Sequence, residues 1–275
     1  MILIAAIGVY SSATPATAAD LFADKNLEAV VRGYVFAKKN NKQPLVEADV
    51  RTISTIKGRG KKIANLAGLE KCVSLAALDL ADNAIADVTA LKDLKNLQTL
   101  TLSGNKIKDI KPLAGLTGLQ YLELTGNEVV DLAPLAKLEA MRSLYLSRNK
   151  ISKLAPLAGL KKVWSLYLDG NSISDLKPIG GLTALESLDL SRNSISDLSA
   201  LSKMTELKYL ILTSNKITDL APLVAMVKKD ASGSKRFAPF CNIYLANNPL
   251  SAAAKGGHVD ELKKLVKNVV VAEKK

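Results

Sequence analysis

The sequence predicts a solenoid, a stack of short coils that bury a common apolar core, and three observations carry this expectation. Seven asparagines recur at intervals of 22 residues: Asn83, Asn105, Asn127, Asn149, Asn171, Asn193 and Asn215. Around each one the frame L-x-x-L-x-L-x-x-N-x-I-x-D-φ-x-P-L is repeated, where φ is apolar. The frame also decays at both ends, as expected where a terminal coil faces a cap or water on one side. A fixed period in the range of about 20–29 residues with this leucine spacing is the signature of a leucine-rich-repeat solenoid. One coil cannot bury its own apolar face, so stability has to come from stacking.

Taken from the start of the chain, residues 1–19 read as an export signal. Met1 to Val9 is apolar, and Ala16-Thr17-Ala18-Ala19 supplies an A-x-A-like cleavage site before Asp20. The run is too short to span a bilayer. No Lys or Arg precedes it, and a frayed apolar N-terminus is the bland alternative. Residues 20–52 form the expected helical N-terminal cap. A helix runs from Asp20 to Lys39, capped by Asp24 and striped by Leu27, Val30, Val31 and Tyr34, and a shorter helical piece spans Leu45 to Val50.

Residues 53–250 form the array. In its first, degenerate coil Gly58 replaces a leucine and Lys61 replaces the asparagine. In every regular coil the L-x-L segment should be a short strand, and successive strands should lie side by side in a parallel sheet on the inner curve. The frame asparagine points inward and needs hydrogen-bond partners, expected on the backbone of its own coil and the next. Asp87, Asp109, Asp131, Asp175, Asp197 and Asp219 start the outer segment, with Lys153 as the exception, and three residues later comes proline at 112, 134, 156, 178 and 222 or alanine at 90 and 200. Asp followed by proline suits a capped 3-10 turn on the convex side. The last coil, with Asn248 in the asparagine slot, comes 33 residues after Asn215. The extra residues fall in 227–238, which read as a polar, basic, glycine-containing mobile loop. Residues 251–275 form the C-terminal cap, with a helix over 258–267 and a closing strand at Val269-Val270-Val271.

Composition narrows the function. The formal net charge of +12 invites a nucleic-acid reading, but the excess sits at the ends. Residues 1–74 hold 11 Lys and Arg against 6 Asp and Glu, residues 75–226 hold 17 against 16, and residues 227–275 hold 10 against 4. A nucleic-acid groove needs a basic stripe along the binding face, and the repeats lack one. Cys72 occupies a leucine slot and should be a buried hydrophobe. Cys241 lies coils away, roughly 30 Å at the spacing of stacked strands, beyond disulfide reach.

Alternate strand residues face opposite sides, so the x positions of x-L-x-L-x-x face the inner curve. The central column runs Lys57, Asp79, Thr101, Glu123, Tyr145, Tyr167, Asp189, Ile211 and Tyr244, flanked by columns that contain Tyr121, Tyr209 and Asp169. Every tyrosine between residues 75 and 250 falls in these columns. Exposed aromatics with one polar tip suit protein interfaces. The expected binding face is therefore Tyr121, Glu123, Tyr145, Tyr167, Asp169, Asp189, Tyr209, Ile211 and Tyr244, acidic and aromatic, suited to a basic or aromatic-accepting protein or peptide. Trp164 stands just outside the columns and could flank this patch or merely cover the sheet edge.

Chemistry finds little foothold. His258 is the single histidine, and a structural or capping role is the simplest reading. No G-x-x-x-x-G-K, G-x-S-x-G or C-x-x-C occurs. The aspartate column has no neighbouring calcium-loop pattern, so capping is preferred to metal binding. No cofactor is expected.

The 22-residue frame resembles the repeats of internalin-like bacterial leucine-rich-repeat proteins. Asn26-Leu27-Glu28-Ala29-Val30-Val31-Arg32 through Leu69-Glu70-Lys71-Cys72 looks like their helical cap, and Asn248-Pro249-Leu250-Ser251 with its following helix looks like their closing unit. The resemblance implies protein binding through the inner face. With the export signal and the missing catalytic motifs, the expectation is a non-enzymatic, exported, monomeric binding protein. The resemblance does not carry host-cell invasion, because no cell-wall sorting motif or immunoglobulin-like domain follows. Two alternatives remain: a cytosolic regulatory subunit of an enzyme such as a phosphatase, and attachment to an acidic polymer or membrane through Lys228, Lys229, Lys235 and Arg236.

Overall fold

The structure, a computed structural model, describes residues 20–272, so the expected export segment lies outside the described residues. Ten strands of three residues each form one parallel sheet in simple chain order: β1 (Thr55–Lys57), β2 (Ala77–Asp79), β3 (Thr99–Thr101), β4 (Tyr121–Glu123), β5 (Ser143–Tyr145), β6 (Ser165–Tyr167), β7 (Ser187–Asp189), β8 (Tyr209–Ile211), β9 (Asn242–Tyr244) and β10 (Asn268–Val270). From β1 to β8 each residue pairs with the one 22 positions on, as in Thr55 with Ala77. The register is therefore the repeat period itself. Each strand from β1 to β9 buries its middle residue, for example Leu100, Leu122, Leu144 and Leu166, and turns its two outer residues to the inner curve. The fold is a leucine-rich-repeat solenoid with 3-10 turns on its convex side, among them Lys111–Gly115, Ala133–Leu135 and Ala155–Gly159.

The convex turns begin as the aspartate spacing suggests. The Oδ1 atoms of Asp87, Asp109, Asp131, Asp175, Asp197 and Asp219 each accept the backbone N–H two residues on, at 2.8–2.9 Å. Proline fits because its missing N–H would be unpaired at a turn start. Leucine, isoleucine, valine and methionine side chains from all coils merge into one continuous core. Cys72 and Cys241 are buried free thiols in it, and burial pushes both up to about 12. Neither is reactive as a thiolate at neutral pH.

The asparagine ladder runs in the opposite sense to the sequence expectation. Asn105 Oδ1 accepts from Ile85 N (3.0 Å), and its Nδ2 donates to Leu80 O and Leu102 O (both 3.0 Å). The inter-coil partners thus belong to the preceding coil, not the next. The same pattern holds at Asn83, Asn127, Asn149, Asn171, Asn193, Asn215 and Asn248. The reason lies in the chain direction. The backbone enters each coil where the previous one has already left carbonyls at its strand exit, and the amide reaches back to satisfy them.

The N-terminal helix is shorter than expected. α1 spans Lys25–Arg32 and stops at Gly33, and a 3-10 turn at Phe36–Lys38 follows. The Arg32 guanidinium draws the chain round by donating to the carbonyls of Lys38, Asn41 and Gln43. Asp24 caps α1 through the N–H groups of Asn26 and Leu27, and its other oxygen accepts from Ala64 and Asn65 in the first coil. Burial raises its carboxyl pKa, but these four N–H groups outweigh that and hold it below the usual range. The short α2 is Glu47–Val50. Gly58 lacks a leucine side chain because α1 fills that space. A Cβ there would meet Leu80 Cδ2 at 3.0 Å and Val30 Cγ1 at 3.1 Å.

Gly68 joins cap to array with φ +102°, and a Cβ there would collide with Leu21 O. We expect Gly68→Ala to destabilise the protein by about 2 kcal/mol or more, since both the backbone conformation and the contact are unfavourable. Urea denaturation followed by circular dichroism measures this, and an unchanged midpoint would refute the account.

The inserted segment carries regular structure where the sequence predicts a loop. α3 spans Ala221–Ser232, with Pro222 in its first turn and Leu223, Val224, Met226 and Val227 buried. Asp230, 4% exposed, then accepts from Ser234 Oγ and from the N–H groups of Arg236, Phe237 and Ala238. Phe237 returns to the core. A π-helical turn at Ala254–His258 leads into α4 (Val259–Leu265), and β10 closes the sheet against β9. His258 Nδ1 lies 3.5 Å from Asp219 Oδ1. Among the described residues, no helix is long and apolar enough to cross a membrane.

Candidate binding face

Strand register places the candidate residues. Tyr121 sits opposite Ser143, Glu123 opposite Tyr145, Tyr145 opposite Tyr167, and Tyr167 opposite Asp189. Neighbouring strands lie about 4.8 Å apart, so successive rings in one column must stack. Tyr145 and Tyr167 do so, with centroids 4.9 Å apart and planes at 15°. Tyr121 joins from the adjacent column, 5.3 Å from Tyr145 and tilted by 40°. All three are half-buried, with their rings on the concave side. Such pairs add stabilisation beyond area burial and fix ring orientation before any partner arrives.

The carboxylates frame this stack. Tyr121 donates its hydroxyl to Glu123 Oε2 at 3.0 Å. Burial, then the Glu123 charge, pushes its phenol pKa upward. Burial raises that of Tyr145 as well. Asp189 accepts from Ser191 N at 2.9 Å and Ser191 Oγ at 2.7 Å, yet burial, aided by the Asp169 charge, holds its pKa above the ordinary carboxylate value. In the three inner columns from Ala77 to Ala246 the charged residues are Asp79, Glu123, Asp169 and Asp189, all negative on a chain of net charge +12. None of the four forms an ion pair among the described residues. Asp82, at the strand exit, is taken by Arg59 at 2.8 Å.

Tyr209, Ile211 and Tyr244 lie further along the same face on β8 and β9, with Ile211 opposite Tyr244. Tyr209 is the most exposed tyrosine among the described residues, at 47%. No ring pair joins them to the stack among the described residues. The structure thus brings Tyr121, Glu123, Tyr145, Tyr167 and Asp189 together and leaves a second, smaller aromatic group at the C-terminal end. The basic residues of the inserted segment are partly engaged: Lys228 pairs with Glu261 at 2.5 Å, and Arg236 pairs with Glu206.

One feature of the rim escapes a reading of the inner columns alone. The Arg142 guanidinium lies over the Trp164 ring at 5.7 Å, and Trp164 Nε1 donates to Ser143 Oγ at 2.9 Å. The two residues are 22 positions apart, so the repeat period itself is the signal that places them side by side.

Comparison with known proteins is consistent with this architecture. The family described as Leucine Rich repeats (2 copies) matches residues 95–137, 117–159, 165–203 and 183–225. The sequence matches no curated protein. Internalin C2 of Listeria monocytogenes is similar at 34% identity, with 75% of this chain and 91% of that one covered and a TM-score of 0.71. The chain belongs to the internalin-like family of bacterial leucine-rich-repeat proteins. A Leptospira interrogans leucine-rich-repeat protein is also similar, at 26% identity over 74% of this internalin-like chain and 51% of that chain, with a TM-score of 0.64. A plant peptide hormone receptor solved in complex with RGF2 shares the fold at 20% identity, covering 66% of this chain and 33% of the receptor with a TM-score of 0.55. An internalin-like solenoid of this kind is consistent with a protein-binding module.

Proposed function

We propose that this internalin-like chain is an exported, non-enzymatic protein whose concave face binds another protein or peptide bearing Lys or Arg. The observation that carries the reading is the stack of Tyr121, Tyr145 and Tyr167 on the open side of the sheet, next to carboxylates that form no ion pair among the described residues. Solvent-facing aromatic rings held in a fixed array offer large contact area at little ordering cost. The carboxylates of Glu123, Asp169 and Asp189 give the partner a preferred sign of charge and a register. Ile211, Tyr209 and Tyr244 would extend the contact along the curve. Export rests on the apolar run and the Ala16-Thr17-Ala18 cleavage pattern of the N-terminal segment.

The test is selection of a displayed random-peptide library on the immobilised protein, with the double variant Tyr145→Ala, Tyr167→Ala as comparison. Selected peptides should be enriched in Lys and Arg. The double variant should bind them at least about tenfold more weakly, the loss of a modest hot spot, with its circular dichroism unchanged. Peptides that bind both proteins equally would remove the tyrosine stack from the interface.

A further inference from the structure

We propose that the partner's lysine or arginine side chain lies in a trench between the tyrosine stack and Trp164, with its stem along the rings and its cation at Asp189. This inference rests on the binding role proposed for the concave face, and it names the point where the partner's cation is held. The floor of the trench follows from side-chain size. The column that contains Tyr121 and Tyr209 has serine at the coils between them, Ser143, Ser165 and Ser187. Strand register sets these side by side on β5, β6 and β7, over two strand spacings or about 10 Å. On the same strands the central column carries Tyr145, Tyr167 and Asp189, each about 6.6 Å along the strand from its serine. Short side chains thus run beside long ones. Tyr121 closes the row at β4 by leaning onto Tyr145, with centroids 5.3 Å apart.

Trp164 forms the opposite wall. It is 45% exposed, and its Nε1 donates to Ser143 Oγ at 2.9 Å. The indole therefore reaches back to the inner column of the preceding coil and belongs to the concave face. Among the described residues no ring contact joins it to Tyr145 or Tyr167, and Ser165 and Ser187 keep part of their surface exposed. The methylene stem of a lysine or arginine packs on apolar and aromatic surface while its charged head seeks a polar end. A trench with rings on both sides and a carboxylate at one end offers both environments to one side chain.

The charges along the trench set the direction in which that side chain lies. Toward β5, Arg142 (over the indole at 5.7 Å) and Arg148 stand against Glu123. Toward β7, Asp169, Asp189 and Glu186 stand against Lys208 and Arg192. Lys208 Nζ is taken by Glu186 Oε2 at 2.8 Å. On the outer side of Trp164, Arg236 is paired with Glu206, which leaves Lys162. A cation is therefore repelled from the Arg142 end and attracted to Asp169 and Asp189, which form no ion pair among the described residues. Burial, aided by the Asp169 charge, holds the Asp189 pKa above its ordinary value even though Ser191 donates to it twice. A nearby cation favours the charged form of such a carboxyl, so Asp189 gains most from a partner's ammonium or guanidinium.

The test selects a displayed random heptapeptide library on the full chain and titrates a synthetic peptide from that selection into variants. Ser165→Leu fills the trench floor, and Asp189→Asn removes the charge at its end. Each should bind the peptide at least about fivefold more weakly, with circular dichroism unchanged, because both side chains face the inner curve. Glu139→Gln, at an exposed carboxylate outside the inner columns, should bind it as the parent does. Trp164 is the one tryptophan in the chain, so the parent's emission should change saturably with the peptide. Exchanging the peptide's lysine or arginine for norleucine should abolish that change. Full affinity in both Ser165→Leu and Asp189→Asn, or emission that never responds, overturns the trench. If Tyr145→Ala, Tyr167→Ala still weakens the same peptide, the binding role of the concave face survives that outcome. A selection without enrichment in Lys or Arg overturns both together.

Discussion

Replacing Asn149 with leucine is expected to cost about 3 kcal/mol, although the two side chains share their branching and number of heavy atoms. Asn149 is 9% exposed and makes four bonds to backbone: it accepts from Val129 N (2.9 Å) and donates to Leu124 O (2.9 Å), Leu146 O (3.0 Å) and Ser147 O (3.2 Å). Leucine removes every one of them and leaves Val129 N without a partner, at about 1–3 kcal/mol, while Leu124 O keeps Asn127 Nδ2, Leu146 O keeps Asn171 Nδ2 and Ser147 O keeps Gly126 N. Two of the four, Val129 N and Leu124 O, belong to the preceding coil. The damage therefore falls on a coil interface, and in a solenoid the interfaces are what make the array cooperative. Urea unfolding should show a lower midpoint, and amide exchange should rise for residues 124–151 before it rises near the ends. A loss below about 1 kcal/mol would mean that the amide ladder is ornamental and the leucines alone hold the stack.

Asp230→Ala should release the C-terminal quarter of the array at a cost of about 3 kcal/mol. The buried carboxylate gathers Ser234 Oγ (2.8 Å), Arg236 N (3.0 Å), Phe237 N (3.1 Å) and Ala238 N (2.9 Å), and no other group in the turn can replace it. Hydrogen bonds to a charged acceptor are worth more than neutral ones, about 1.5–3 kcal/mol each in gross terms, offset by the burial of the charge. Burial pushes the Asp230 pKa up, but the Ala238, Arg236 and Phe237 N–H groups and the Ser234 hydroxyl together hold it below its ordinary value of 3.8. A folded-state pKa below the unfolded one contributes stability that is fully present above the unfolded value and lost as pH falls through the folded one. The parent should therefore lose this contribution on acidification below about pH 4, and the alanine variant should lack that component of its pH dependence. Limited proteolysis at residues 231–236 and denaturation at pH 7 and pH 3 measure both effects. Equal proteolysis of the two proteins would refute the assignment.

Much of the fold could be read directly from residue spacing. The period fixed strand register, because a coil of constant length returns each Leu-x-Leu to the same place beside its predecessor. The columns of inner residues follow from that register and from strand alternation, so the side-by-side positions of Tyr145 and Tyr167 follow from 22-residue spacing alone. The aspartates of the convex turns were equally legible, since their hydrogen bonds span two residues and need no distant partner. Less of the candidate site was legible. That Tyr121 crosses columns to reach Tyr145 depends on its side-chain rotamer. That Asp189 is buried enough to hold its proton more tightly depends on how neighbouring coils crowd it.

The failures share one physical cause. The inserted segment 227–238 reads as polar and basic, and its order depends on one carboxylate, Asp230, meeting three N–H groups that lie six to eight residues ahead. The helix after Asp20 reads as longer than it is because the Arg32 guanidinium turns the chain through carbonyls as far away as Gln43. The sequence by itself determined the coil, its period, its core and the side of the sheet on which each residue stands, since all of these depend on interactions within one repeat length. Tertiary structure alone decided the direction of the asparagine ladder and the bends of the two caps. Those depend on which backbone groups are left unpaired once coils stack, and no single coil contains that information.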